Sequence, residues 1–230
     1  MSVPLAVFAS GGGSNLQALL DRFGAPDAPA RVALVVSDRP DAGALVRAAR
    51  AAVPTVVIPV RGRPEEEVAA ATLAALDEAA IQLVALAGYL RLVPTAVTRR
   101  FRGRMLNIHP ALLPAFGGNG MYGRRVHEAV LAAGCTVSGA TVHLVDERYD
   151  EGRPLAQWPV PVLSDDTPER LAARVLAVEH RLYPAVVAAL ARRMAGQPDV
   201  PAAEDGEPAF ILGRLDHPGA VDVRRFMHVS

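Results

Sequence analysis

Residues 3–20 read VPLAVFASGGGSNLQALL, an apolar run followed directly by a glycine-rich turn and a helical pattern. The apolar run predicts a strand over Val3–Ala9, and the spacing of the later apolar residues predicts a helix over Ser14–Arg22. A strand that leads through glycines into a helix is typical of α/β proteins. This segment therefore predicts the first βα unit of a parallel sheet.

The same alternation of strand and helix continues through the first half of the chain. Parallel βαβ units with right-handed crossovers are the expected result. An almost wholly apolar second strand, RVALVVS, fits a sheet that is covered on both faces. The predicted strands are Arg31–Ser37, Thr55–Val60, Leu83–Ala87 and Arg104–Ile108, and the predicted helices are Ala42–Ala52 and Pro64–Ala79.

The second half of the chain has a different pattern. A glycine-rich loop over Ala111–Gly123 precedes a predicted helix over Arg125–Ala133, and the β-rich stretches Thr136–Val145 and Pro154–Leu163 indicate an antiparallel addition. We expect an α/β, three-layer, Rossmann-like fold whose sheet is mostly parallel, with this antiparallel addition at its C-terminal side.

A final long helix is predicted after the antiparallel strands. It begins at Thr167-Pro168-Glu169, where Thr caps the helix and Pro occupies its first turn, and it runs to about Arg193. We divide the chain into a main domain over residues 1–194 and an extension over 195–230, which is rich in Pro, Gly and Asp. The extension has at most one short predicted strand, Ala209–Leu212.

Composition excludes several classes of protein. The 230 residues carry 24 basic and 24 acidic side chains, so the net charge of +0 argues against a nucleic-acid binder. No apolar run approaches the roughly 20 residues that span a bilayer. The single cysteine, Cys135, fits a reducing cytoplasm and predicts a small core residue rather than a nucleophile. Lysine is absent from the chain, which excludes pyridoxal-phosphate attachment and a Walker-A loop.

The glycine-rich turn Ser10–Asn15 is the first candidate site. Free N–H groups at the start of the following helix favour an anion, so phosphate binding is the functional interpretation and a plain βα turn is the alternative. Gly11 and Gly13 fit a dinucleotide fingerprint, but its third glycine position is Leu16. With Asp38 at the end of the second strand, an NAD-binding dehydrogenase stays an alternative.

Asn107 and His109 form the second candidate site, at the end of the fifth predicted strand. Residues two apart on a strand share a face, so an amide and an imidazole stand side by side where ligands bind in open α/β sheets. Such a pair can donate hydrogen bonds to a developing oxyanion. A hydrogen-bonded core histidine beside a turn asparagine is the alternative.

Other polar residues carry less specific signals. The acidic run over residues 146–151 is an ordinary solvated loop unless one carboxylate orients a histidine. His127, in a predicted helix, and His143, in a predicted strand, are expected to be structural. The histidines lack the spacing of a zinc site, so no metal is expected.

These motifs together resemble the phosphoribosylglycinamide formyltransferase family. The resemblance covers the chain to about residue 193 and includes the core NIHPALLP over residues 107–114. It implies transfer of a formyl group from the co-substrate 10-formyltetrahydrofolate to the amine of 5'-phosphoribosylglycinamide in purine synthesis. The matching segments are SGGGSNLQALL (Ser10–Leu20), LAGYLRLV (Leu86–Val93), MLNIHPALLPAF (Met105–Phe116), GMYGRRVHEAVLAAG (Gly120–Gly134), SGATVHLVDERYDEG (Ser138–Gly152) and VEHRLYP (Val178–Pro184).

The resemblance implies a role for each matching position. Asn107, His109 and Asp150 would be catalytic, and Leu113-Pro114 would carry a cis peptide. Substrate phosphate would be held by Gly13, Ser14 and Asn15, and ribose hydroxyls by Glu179. The folate pocket would be lined by Arg63, Leu90, Arg91, Leu92, Val93 and Asn107.

The implied mechanism is one direct acyl transfer. The amine attacks the formyl carbon while Asn107 and a protonated His109 stabilise the oxyanion. An aspartate neighbour raises the pKa of a histidine, so Asp150 is expected to keep His109 charged and to help move a proton through water.

Three features depart from the family pattern: Gly152-Arg153-Pro154 follows Asp150, Asn119 stands where relatives place Lys, and the tail beyond Ala195 has no counterpart. Related enzymes with the same core are alternatives. A methionyl-tRNA formyltransferase would need a basic tRNA-binding domain, and a formyltetrahydrofolate hydrolase a regulatory domain before the first strand. A folate-binding protein without turnover is a further alternative. We expect small-molecule substrates, no nucleic-acid or membrane partner, a cytoplasmic location, and a monomer or homodimer.

Overall fold

A computed structural model describes residues 2–197 of the chain. It contains a seven-stranded sheet in the order β3-β2-β1-β4-β5-β6-β7. The strands are β1 Val3–Phe8, β2 Ala30–Ser37, β3 Thr55–Val57, β4 Leu83–Leu86, β5 Met105–His109, β6 Val137–Leu144 and β7 Pro154–Pro161. The helices are α1 Ser14–Arg22, α2 Gly43–Arg50, α3 Glu65–Glu78, α4 Thr95–Arg100, α5 Arg124–Ala132 and α6 Pro168–Met194.

The central strand β1 is buried on both faces. It pairs in parallel with β2 on one side and β4 on the other, so Leu5 lies opposite both Val32 and Leu83. Because side chains alternate along a strand, Leu5 and Val7 pack with α1, α2, α5 and α6, whereas Ala6 and Phe8 pack with α3 and α4. The predicted three-layer fold is confirmed.

The direction of pairing changes after β5. Strand β6 runs antiparallel to β5, with Asn107 opposite His143 and His109 opposite Thr141, and β7 pairs antiparallel with β6. The predicted antiparallel addition is therefore confirmed. It places His143 and Thr141 of β6 beside the end of β5, where the candidate site lies.

Several element boundaries differ from the predictions. Strand β3 ends at Val57 rather than at Val60, because Pro59 lacks the N–H that a continued ladder needs. Strand β5 extends to His109, directly before Pro110. The sequence patterns do not predict α4, whose six residues are too few for a period to emerge.

Helix α6 begins as predicted and ends one residue beyond the predicted Arg193. The hydroxyl of Thr167 accepts a hydrogen bond from the N–H of Arg170 at 3.3 Å, and the helix continues through Pro184 to Met194. The predicted strand Ala209–Leu212 lies outside the described residues. Within residues 2–197 no helix is both long and apolar enough to cross a membrane.

Candidate active site

A cavity of about 700 Å³ opens at the carboxyl ends of the central parallel strands. Three segments that follow these strands contribute to its wall: the glycine-rich turn after β1, the loop after β4, and the end of β5. This is where ligands bind in open α/β sheets. Further wall residues come from the loop over residues 118–123, the acidic loop after β6 and one face of α6.

Four polar side chains converge at the β5–β6 end of the cavity. The Nδ1 atom of His109 lies 3.5 Å from Oδ2 of Asp150, and Nδ2 of Asn107 lies 3.3 Å from Oδ1 of the same carboxylate. Opposite Asn107 on β6, His143 places its Nε2 atom 3.0 Å from Nδ2 of Asn107 and 3.5 Å from Oδ1 of Asp150. The structure therefore brings the three predicted catalytic residues together and adds His143 to them.

The loop after β5 holds the Asp150 carboxylate in place. The N–H of Gly118 donates a hydrogen bond to Oδ2 of Asp150 at 3.0 Å. A Cβ atom at Gly117 would lie 2.6 Å from Cδ2 of Leu113 and 3.1 Å from Cβ of Asp150, so a larger residue here would require the Leu113 side chain to move. The peptide Leu113–Pro114 is cis, as the resemblance implied.

Burial determines the charge of His109. The side chain is almost fully buried, which lowers the pKa of the imidazole; Asp150 and the Phe116 carbonyl raise it, and the net pKa lies below the ordinary value. The expectation that Asp150 keeps His109 protonated near neutrality is therefore wrong, because the net change in the pKa of His109 is a decrease. Asp150 acts in the expected direction, but desolvation outweighs it.

Asp150 itself stays ionised. Its partial burial alone would raise the pKa of the carboxyl group, but its contacts with His143 and His109 and the hydrogen bond from the Gly118 N–H together bring that pKa below the ordinary value. A neutral imidazole thus faces a carboxylate. The N–H at Nε2 of His109 donates to the carbonyl oxygen of Phe116 at 2.8 Å.

His143 fixes the orientation of the Asn107 amide. Its Nδ1 atom lies 2.8 Å from the carbonyl oxygen of Leu144, which can only accept, so Nδ1 carries the proton. In the neutral ring Nε2 then accepts a hydrogen bond from Nδ2 of Asn107. The sequence predicts only a structural role for His143, because its position across from Asn107 depends on the β5–β6 register, which the sequence patterns do not specify.

The glycine-rich turn forms another part of the cavity wall. Gly11, Ser14 and Asn15 line it, but Gly13 does not. At a φ of 75°, Gly13 packs on α2, where a Cβ atom would lie 2.8 Å from Cα of Ala44. Gly13 therefore shapes the turn by its backbone rather than by facing the cavity.

Asn15 and Glu179 form a buried pair in the same part of the wall. Nδ2 of Asn15 donates to Oε2 of Glu179 at 2.7 Å. Burial raises the pKa of Glu179 from 4.5 to about 7, while the Asn15 hydrogen bond opposes the change. One turn further along α6, the hydroxyl of Tyr183 lies 2.9 Å from the carbonyl oxygen of Leu86 and anchors the helix to the sheet.

The predicted folate-binding segment after β4 also lines the cavity. Leu90, Arg91, Leu92 and Val93 are all wall residues, and Leu90 and Leu92 are 42% and 45% exposed. Nε of Arg91 lies 2.9 Å from Oδ2 of Asp38, whose side chain is only 2% exposed. This buried carboxylate holds the half-exposed guanidinium group at the cavity.

Arg63, the remaining predicted folate contact, lies outside this wall. Its Nε atom is 3.6 Å from Oε2 of Glu67, and its Nη1 atom is 3.4 Å from the carbonyl oxygen of Pro59. The cavity thus gives this assignment no support. Among residues 2–197 there is also no group of three or more His, Cys, Asp or Glu side chains that could hold a metal ion.

The open, mostly parallel sheet has a cavity at its strand ends, and the wall of that cavity holds a glycine-rich turn and a histidine–carboxylate pair. This arrangement is typical of the class of α/β proteins that have a small-molecule site at the strand ends. The formyl transferase family model matches residues 3–187, and the chain belongs to this family.

Known proteins agree with this membership. The chain is 46% identical over 188 residues to the chloroplastic phosphoribosylglycinamide formyltransferase of Arabidopsis thaliana, covering 81% of this chain and 64% of that protein. It is 44% identical over 187 residues to the Vigna unguiculata protein of the same name, with coverages of 81% and 60%. The chain thus spans less than two thirds of these relatives.

A solved structure also matches. The crystal structure of glycinamide ribonucleotide transformylase 1 from Symbiobacterium toebii has a TM-score of 0.78 at 39% identity and covers 92% of this chain and 95% of that one.

Proposed function

We propose that this protein transfers a formyl group from 10-formyltetrahydrofolate to the amine of 5'-phosphoribosylglycinamide, a step of purine synthesis. The observation that carries the proposal is the convergence of Asn107 and His109 on Asp150, each within 3.5 Å of its carboxylate, in a cavity whose wall also includes the glycine-rich turn. Family membership and the names of the relatives support the same reaction. The co-substrate is a folate, and no metal takes part in this proposal.

The amine-bearing substrate would occupy the α1 end of the cavity. Its phosphate would bind at the start of α1, where Ser14 and Asn15 add polar groups to free backbone N–H donors. Glu179 would bind the ribose hydroxyls. The folate would lie along Leu90–Val93, whose exposed leucines offer an apolar surface.

Catalysis would consist of direct attack of the amine nitrogen on the formyl carbon. The carbonyl π electrons move to oxygen, Asn107 donates a hydrogen bond to the resulting oxyanion, and His109 stabilises it electrostatically by becoming protonated as the charge develops. The 3.3 Å hydrogen bond from Asn107 to Asp150 is long, so an oxyanion can replace it with little loss, whereas the 3.0 Å bond to His143 keeps the amide oriented.

Proton movement follows from the electrostatics of the pair. Because burial keeps His109 neutral, its protonation would accompany the negative charge that develops on the oxyanion, which favours the imidazolium form. Through water, the ionised Asp150 would accept the proton that the attacking amine loses and pass it to Nδ1 of His109, where the carboxylate stabilises the imidazolium. The tetrahedral intermediate would then re-form the carbonyl as its bond to the folate nitrogen breaks, and the same proton would return through Asp150 and water to that nitrogen, so that tetrahydrofolate leaves as a neutral molecule.

A spectrophotometric assay with a 10-formyl folate and phosphoribosylglycinamide tests the proposal. We expect product only when both substrates are present, and a large loss of rate in His109→Ala. Folate turnover without the amine would favour a hydrolase, and folate binding without any turnover would favour a binding protein. As a matched control, His180→Ala alters a histidine outside the wall of the 700 Å³ cavity and should leave the rate near that of the wild type.

We also propose a cytoplasmic location, which the single cysteine supports. Monomer and homodimer both stay open.

A further inference from the structure

Helix α5 buries a histidine where its pattern calls for an apolar residue. Val126, His127 and Val130 form the buried face of the helix, and both valines are fully buried. His127 is 4% exposed, and its Nδ1 atom has no hydrogen-bond partner among the described residues. An unsatisfied buried polar group costs about 1–3 kcal/mol, so the fold gains nothing from a histidine here over an apolar residue.

The ring of His127 is also part of the active-site wall. It lines the same cavity as His109, and the residues of α6 that line this cavity are Pro168, Glu169, Ala172, Leu176 and Glu179. Burial, together with the proximity of His109, lowers the pKa of His127. The ring is therefore neutral at pH 7 and has one N–H donor.

The environment of Nδ1 indicates where that proton lies. Nδ1 is sealed from solvent and has no acceptor beside it among the residues the structure describes. Orphaned buried N–H groups are rarer than unsatisfied acceptors, so the neutral ring carries its proton on Nε2. Nε2–H is then the donor that a ligand in the cavity can use.

We propose that His127 binds the amine-bearing substrate by donating a hydrogen bond from Nε2 to one of its oxygen atoms. This inference rests on the proposed function. The choice of substrate follows from the packing of the helices: α5, which carries His127, packs against α6, which carries Glu179, whereas the segment assigned to the folate is the loop after β4.

The helix holds this donor in a fixed position. Arg124, one turn before His127, forms ion pairs with Glu128 and with Glu169, so the start of α5 is tied to the start of α6. On the same helix Val130 belongs to the hydrophobic core and Val126 is fully buried, which adds core packing. A donor fixed in this way loses little conformational entropy when the substrate binds.

Kinetics and direct binding of three variants test the proposal. The amide nitrogen of Gln occupies nearly the position of the histidine Nε2, that of Asn nearly the position of Nδ1, and Leu fills the space without a donor. We expect His127→Leu and His127→Asn to raise both the KM and the calorimetric Kd for phosphoribosylglycinamide about tenfold, the effect of one lost hydrogen bond. His127→Gln should stay within about threefold of the wild type.

Two further readouts separate binding from a structural role. The KM for the folate should stay unchanged in all three variants, and His127→Leu should be at least as stable to urea as the wild type. The proposal would be overturned if the Gln and Asn variants had equal KM and Kd values for the amine-bearing substrate. It would also be overturned if the KM for the folate rose as much as the KM for the amine-bearing substrate. The comparison of Gln with Asn holds even if the Leu variant does not fold. Absence of turnover in the wild type would instead contradict the proposed function, and calorimetry of the ribonucleotide would still test His127.

Discussion

Replacing Glu179 by Gln should change how the stability of the protein depends on pH. Burial raises the pKa of this carboxyl group from 4.5 to about 7. Each pKa unit corresponds to about 1.4 kcal/mol, so the difference is worth about 3 kcal/mol. Between pH 4.5 and 7 the native state binds more protons at this site than the unfolded state, and stability therefore falls as the pH rises through this window.

Glutamine removes this proton linkage and keeps a carbonyl oxygen that can accept the 2.7 Å hydrogen bond from Asn15. The quantity to follow is the free energy of unfolding of Glu179→Gln minus that of the wild type. This difference should increase by about 3 kcal/mol from pH 4.5 to pH 7.5, because only the wild type loses stability in that range. Urea unfolding at pH 4.5, 6 and 7.5 measures this difference. Glu66→Gln, at an exposed position of α3, is the matched control and should show no such change. Parallel pH profiles for Glu179→Gln and the wild type would refute the reasoning.

Four other substitutions test separate parts of the molecule. Asn107→Ala and Asp150→Ala should each raise the barrier by about 3 kcal/mol, about a hundredfold in kcat, because each removes a group that acts on the oxyanion or on His109; near-normal turnover would contradict these roles. Asp38→Asn should raise the folate KM about threefold to tenfold, because Arg91 loses a buried charged partner at 2.9 Å, whereas Asp41→Asn, which affects the exposed Arg39 pair, should not. Gly152→Ala should cost about 2 kcal/mol or more in urea unfolding, because its Cβ atom would collide with the carbonyl oxygen of Leu144; an unchanged midpoint would show that the backbone adjusts there.

The central part of the fold is predictable because its signals are local. Apolar runs of strand length, separated by helical periods, correctly indicate β1, β2 and β4 and the helices between them. The Thr-Pro-Glu sequence at residues 167–169 correctly marks the start of α6. Helix α4 is missed because six residues show less than two helical turns.

The site is only partly predictable, because it depends on contacts between distant segments. Strand alternation places Asn107 and His109 on one face, but only the family resemblance suggests that Asp150 reaches them. The charge of His109 depends on the balance between burial and a 3.5 Å contact, and neither can be read from a one-dimensional pattern. The same holds for His127, whose lack of a partner emerges only once α5 is packed.

Following the labelled formyl carbon tests direct transfer most sharply. The protein would be mixed with 10-[¹³C]formyltetrahydrofolate and phosphoribosylglycinamide, and the products analysed by mass spectrometry. We predict one ¹³C-formyl group on the glycinamide nitrogen for each tetrahydrofolate released, with this yield lost in His109→Ala. Labelled formate with an unmodified amine substrate would contradict direct attack at the site formed by Asn107, His109 and Asp150.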